Sequence, residues 1–153
     1  MPKPPPPDSK FWKVWEVGTR INIALFRATK GRVGGKMPGS DARICIVHHV
    51  GRKSGQKRQS PLIYLADGDD VVIVASKGGV DKHPAWFHNV TAMDVVEVEL
   101  PGGERRRTRP HVAEGPERER LWKRLVEIYK PYADYQTYTE RQIPVVVLEP
   151  AQA

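Results

Sequence analysis

Gly51-Arg52-Lys53-Ser54-Gly55-Gln56-Lys57-Arg58 leads into Pro61-Leu62-Ile63-Tyr64-Leu65, and then into Val71-Val72-Ile73-Val74-Ala75-Ser76-Lys77-Gly78-Gly79. A turn bearing Arg52, Lys53, Lys57 and Arg58 stands between two strand-like apolar runs. A second glycine-rich turn, with Lys77, closes the run after that. Main-chain N–H groups freed by glycine, beside arginine and lysine, suit a phosphate-bearing ligand. The order of these turns on β-strands, rather than on strand followed by helix, argues against a Rossmann or P-loop nucleotide fold.

Working outward, Ala42 to Val50 reads as a strand, and Arg58 to Ala66 returns beside it. Pro61 cannot donate to a ladder, so its strand is expected at an edge or with a bulge. Asp67-Gly68-Asp69-Asp70 turns into a strand from Val71 to Ser76. A short helix is predicted from His83 to Ala92 with Pro84 in its first turn. Val95 to Leu100 and Glu104 to Val112 read as a hairpin about Pro101-Gly102-Gly103. Glu117 to Tyr129 has the helical period, with Leu121, Trp122, Leu125 and Ile128 inward, and Ile143 to Glu149 is a last strand. Six strands with tight turns and two or three helices predict a mainly β fold with peripheral helices, a small antiparallel barrel.

At 153 residues the chain is long enough for one domain with a real core. It carries 25 Lys and Arg against 18 Asp and Glu, a net +7. That surplus fits an anionic ligand, an anionic membrane surface or nucleic acid alike. The single Cys45 lies in an apolar run, which allows no internal disulfide and points to a reducing cytoplasm. Residues 1–9 form a proline-rich tail expected to be disordered. Residues 10–36 hold a basic amphipathic helix, from Lys10 to about Thr29 and capped by Asp8 or Ser9, with a linker; the barrel occupies 37–153. Phe11, Trp12, Trp15, Ile21 and Phe26 lie among Lys10, Lys13, Arg20 and Arg27 on that helix. Such a helix either meets an anionic membrane or packs on the barrel.

His48, His49, His83, His88 and His111 have no metal-binding spacing, and no nucleophile motif is present, so neither a metal site nor covalent hydrolysis is indicated. Tyr129, Tyr132, Tyr135 and Tyr138 recur every three residues, which gathers them on one side of a helical or turn-like segment. They form either a core-capping patch or a wall for a flat ring with hydroxyls to donate.

These motifs, with Pro84-Ala85-Trp86, Tyr132-Ala133-Asp134-Tyr135-Gln136 and Ile143-Pro144-Val145, resemble the deazaflavin-dependent nitroreductase family across roughly 42–150. The resemblance implies a split β-barrel related to flavin-binding barrels and a hydride-transferring reductase that uses coenzyme F-420, an 8-hydroxy-5-deazaflavin. A quinone, an activated alkene or a nitroaromatic would be the acceptor. By resemblance, Arg52, Lys53 and Arg58 hold the phosphate and acidic tail, with Lys77, Gly78 and Gly79 along the same groove. Pro61, Ala75 and Ser76 lie against the ring, and Trp86 shapes the pocket. Ser76, Tyr129, Tyr132 and Tyr135 are the donors toward the acceptor. His48-His49-Val50 departs from a threonine-rich run, Ala85 from a methionine and Tyr138 from a tryptophan, which bears on the acceptor more than the coenzyme. A flavin mononucleotide enzyme on the same barrel and a non-enzymatic nucleic-acid-binding barrel are the alternatives; the tyrosines lie outside the strands, against the latter.

Overall fold

The computed structural model describes residues 6, 8–36, 40, 42–79 and 81–151. The expected tail at 1–9 is described only at Pro6, Asp8 and Ser9, and residues 37–39 of the linker lie outside the described residues. Six antiparallel strands run β1 Arg43–Val50, β2 Lys57–Asp67, β3 Asp70–Val74, β4 Val96–Leu100, β5 Glu104–Val112 and β6 Val145–Pro150. They close a barrel in the order β1-β2-β3-β6-β5-β4. The last seam is short: Ile46 faces Glu99 and Val47 faces Val98. Side chains alternate across each strand, so one set fills the barrel and the other faces out. Cys45, Val47, Tyr64, Ile73, Val98 and Val146 belong to the interior cluster, which Trp86 and Val90 complete.

Four α-helices are present among the described residues, more than the two or three expected: α1 Lys10–Thr29, α2 Ala85–Thr91, α3 Gly115–Ile128 and α4 Pro131–Thr137. The extra one is α4, which holds Tyr132 and Tyr135 of the tyrosine repeat, with Tyr129 and Tyr138 flanking it. α3 and α4 cover the outward faces of β3 and β6, burying Val72, Val74, Val145 and Val147 against Leu121, Leu125 and Tyr132. This is why Val145-Val146-Val147-Leu148 is continuously apolar: β6 is buried on both faces. Each of the two fully buried leucines contributes about 2 kcal/mol. α2 starts later than expected, with Pro84 preceding it as its N-cap residue.

α1 begins where expected, its Ser9 side chain accepting from the Phe11 N–H. It lies on the outside of β1, where Ile23 and Phe26 pack on Ile46. Beneath it Glu99 receives Arg27 at 2.8 Å, His48 at 2.8 Å and Arg105 at 3.0 Å. Burial alone would raise the Glu99 carboxyl, but hydrogen bonds from Arg27 and His48, with the charges of Arg27 and Arg105, hold it down to about 2.

Candidate functional site

The β1–β2 register is unbroken from Arg43↔Tyr64 to Val50↔Lys57, so Pro61, opposite Ile46, makes no bulge. On its other side β2 pairs with β3 only from Tyr64↔Ile73 to Asp67↔Asp70. The Lys57–Ile63 half therefore has no β3 partner, which is the local edge that Pro61 requires. β3 stays with β6 as far as Val74↔Val145, and the Ala75 N–H then bonds the Pro144 carbonyl. The sheet thus parts between β2 and the segment Ala75–Gly79, at the end of the barrel that carries the Gly51–Gln56 turn.

Arg52, Lys53 and Arg58 on one lip and Lys77 on the other are all exposed. Pro61 is half-buried, Ala75 and Ser76 are buried, and Trp86 is buried in the interior cluster. The first turn is more occupied than its glycines suggested. Gly51 N–H bonds Gln56 O, Gly55 N–H bonds Gly51 O, Gln56 N–H bonds Ser54 Oγ, and Arg52 N–H bonds Asn89 Oδ1. The charge offered there comes mainly from side chains.

The second turn is a short 3-10 segment, Lys77–Gly79, in which Lys77 holds the left-handed conformation at φ 43°. A non-glycine residue there carries roughly 1 kcal/mol or more of strain, a cost met where the chain must aim a side chain. The Lys77 ammonium lies 4.9 Å above the Trp12 ring, so the first turn of α1 reaches this lip. Gly79, at φ 82°, packs so closely on α4 that an added Cβ would stand 2.9 Å from Tyr135 Cα. That contact brings the Lys77 turn against the tyrosines.

The tyrosines form one stack. Tyr129 and Tyr132 meet edge-on at 4.9 Å, and the Tyr129 and Tyr135 hydroxyls are 3.2 Å apart. Tyr132 is 4 % exposed. Burial, with Tyr129 and Tyr135 beside it, pushes its phenol well up, and burial does the same to Tyr135. Both remain neutral donors at physiological pH.

Arg141 was not singled out in the sequence, yet it braces this lip. Its guanidinium donates to Ala75 O at 3.2 Å, to Ser76 O at 3.0 Å and to His83 Nδ1 at 3.0 Å. Burial, then the Arg141 charge, lowers the His83 pKa, in keeping with a neutral ring that accepts at Nδ1. An open cavity of about 480 Å³, lined by residues including Asp81, Tyr138 and Arg141, adjoins the brace. A larger hollow of about 1030 Å³, between Ala28–Val33 and Pro101-Gly102, contains none of the expected site residues.

A family profile described as F420H(2)-dependent quinone reductase matches residues 18–150. The chain belongs to that family. The quinone reductase Rv1261c of Mycobacterium tuberculosis is 38% identical over 149 residues, covering 92% of this chain and 97% of the relative. The solved structure of an F420-H2 dependent reductase, FDR-A, has 44% identity and a TM-score of 0.64, covering 69% of this chain and 93% of that one. A second, described as a domain-swapped dimer, has 38% identity and a TM-score of 0.67, covering 90% of this chain and 98% of that one. Family membership bears out the resemblance read from the motifs, along with the antiparallel barrel and the class of reductase that came with it.

Besides Arg141, the sequence does not single out Asn89 or Ser60, and His49 enters there only as a histidine without metal-binding spacing and as a departure from the family run. Asn89 sits on α2 with its side chain against Arg52 N–H and His49. No local pattern marks such a residue, because its partners lie about forty positions away.

Proposed function

We propose that this chain is a reductase that holds reduced coenzyme F-420 in the parting between β2 and Ala75–Gly79 and reduces a quinone there. The parting itself carries the reading: a slot at one barrel end, walled by buried Ala75 and Ser76, with cations on both lips. When bound, the coenzyme supplies a hydride donor at C5 of its ring. The protein's share is binding, orientation and electrostatics.

Arg52, Lys53 and Arg58 hold the phosphodiester and the acidic tail, and Lys77 with Gly78 and Gly79 continues that groove. Pro61, Ala75 and Ser76 would lie along the ring, and Trp86 would help shape the pocket. Ser76, Tyr129, Tyr132 and Tyr135 donate hydrogen bonds to the charge that develops on an acceptor oxygen. Arg141 keeps Ala75 and Ser76 in place. An enone or a nitroaromatic offers the same kind of oxygen, so both belong to the acceptor class.

The proposed location is the cytoplasm, with α1 in contact with an anionic membrane in which a quinone resides. No helix among the described residues is long and apolar enough to cross a membrane. α1 nevertheless leaves Val14 at 73% and Trp15 at 57% exposure, beside Lys10 and Lys13. In this reading residues 10–36 are an attachment helix and linker, and 37–153 the coenzyme-binding barrel.

The test is a fluorescence titration with oxidised coenzyme F-420, flavin mononucleotide and single-stranded DNA in parallel, followed by turnover of the reduced coenzyme with menadione, an enone and a nitroaromatic. Selective binding of the deazaflavin and its reoxidation by menadione are expected. Preference for flavin mononucleotide or DNA would overturn the assignment.

A further inference from the structure

The hydrogen bonds behind the β1–β2 turn form one directed chain. Arg52 N–H can only donate, and its partner at 2.9 Å is Asn89 Oδ1. That bond fixes the amide, so Asn89 Nδ2 is a donor, and it faces His49 Nδ1 at 3.0 Å. His49 Nδ1 must then present its lone pair. His49 is 4% exposed, and burial first, then the charges of Arg58 and His48, lowers its pKa to about 4. The ring is neutral, its single proton is on Nε2, and Nε2–H donates to Ser60 Oγ at 2.9 Å. The Ser60 hydroxyl accepts from His49, which leaves its own hydrogen available to donate.

Ser60 occupies the unpaired half of β2, between Arg58 and Pro61, at the parting described above. Arg58 and Ser60 are two apart on a strand and share a face. The Arg58 guanidinium folds back over the turn: its Nε is 3.5 Å from where a Cβ on Gly51 would sit. A hydroxyl donor on the same strand face as an arginine suits an anionic oxygen. We infer that Ser60 is a further coenzyme-binding residue whose hydroxyl donates to the phosphodiester, with His49 and Asn89 as the positioning residues that orient it.

This inference rests on the coenzyme reading above, and the experiment separates the two. In the labelled full-length protein at pH 7, long-range proton–nitrogen NMR correlations should show His49 neutral with its proton on Nε2. A charged ring, or a proton on Nδ1, would overturn the inference whatever the coenzyme does. Coenzyme F-420 and 8-hydroxy-5-deazariboflavin, which lacks the phosphodiester, are then titrated into wild type and Ser60→Ala. The variant should lose roughly ten-fold in affinity for the full coenzyme, as a hydrogen bond to a charged group implies, and none for the truncated ring. His49→Phe should reproduce the loss and His49→Gln, which can accept and donate at once, should recover most of it. Equal affinities of Ser60→Ala and wild type for the full coenzyme, or an equal loss for both ligands, would overturn the role of Ser60. A wild type that binds neither ligand would overturn the functional reading itself.

Discussion

Tyr132 packs with Leu125, Val145 and Trp122 under α3, yet its hydroxyl has no hydrogen-bond partner among the described residues. Tyr132→Phe therefore preserves the packing and removes only the donor. With menadione, Tyr132→Phe and Ser76→Ala should each lower turnover on the order of 10- to 1,000-fold, with a smaller change in coenzyme affinity. Turnover equal to wild type in both variants would make these residues structural. His49 yields a second expectation at this scale. Its folded pKa, about 4, lies below the unfolded value near 6.5, so the unfolded chain binds more protons between the two. Stability attributable to His49 is complete above about pH 6.5 and declines as pH falls toward 4, by up to roughly 3 kcal/mol. Urea unfolding at stepped pH should show that decline in wild type and lose most of it in His49→Gln. The sequence revealed which of these side chains were polar and which were ring-bearing. It did not reveal their protonation, because burial sets that.

At the scale of elements, α1 has two halves with different surroundings. Ile23, Phe26 and Arg27 tie its later half to Ile46 and Glu99, whereas Phe11, Val14, Trp15 and Val17 of its earlier half are exposed. The later half packs on the barrel as a core element would, and the proposed membrane contact concerns the exposed earlier half. Deleting the whole helix would uncover Ile46, so a surface variant is the better probe. Val14→Ser combined with Trp15→Ser should leave folding unchanged and weaken sedimentation with phosphatidylglycerol vesicles at low salt. Equal pelleting of variant and parent, or no pelleting of either, would remove the membrane role. Each cation near an anionic surface adds about 1 kcal/mol, so the binding should be reversible and salt-sensitive. The sequence marked the bounds and cap of α1 because capping and period are local. Which half is covered depends on Glu99, seventy-two residues from Arg27.

For the molecule as a whole, the net charge of +7 matters through where it falls. Arg52, Lys53, Arg58 and Lys77 meet around one opening, whereas Arg120 and Arg124 are engaged with Asp67 at 3.0 Å and 2.6 Å and have no part in it. Coenzyme affinity should fall as salt rises from 0.05 to 0.5 M, flavin mononucleotide being the less charged control, because the Debye length shrinks to a few ångströms (roughly 4 Å) over that range. In Arg58→Ala and Lys77→Ala the affinity should be lower and its salt dependence shallower; an unchanged profile in both would remove the groove from that opening. Six strands, their turns and the apolar stripe of α3 were legible in the sequence, since alternation, helical period and glycine or proline are properties of neighbouring residues. The family's motifs were legible for the same reason, each being a short run. What only the tertiary structure decided is how these runs face one another. The parting of β2 from Ala75–Gly79 follows from where two registers end. The Arg141 brace spans 65 residues to Ser76, and the His49–Asn89 bond spans 40. A hydrogen bond between residues so far apart is selected by the closed barrel and leaves no periodic trace in the chain, so only the fold could bring Arg141 to Ser76 and Asn89 to His49.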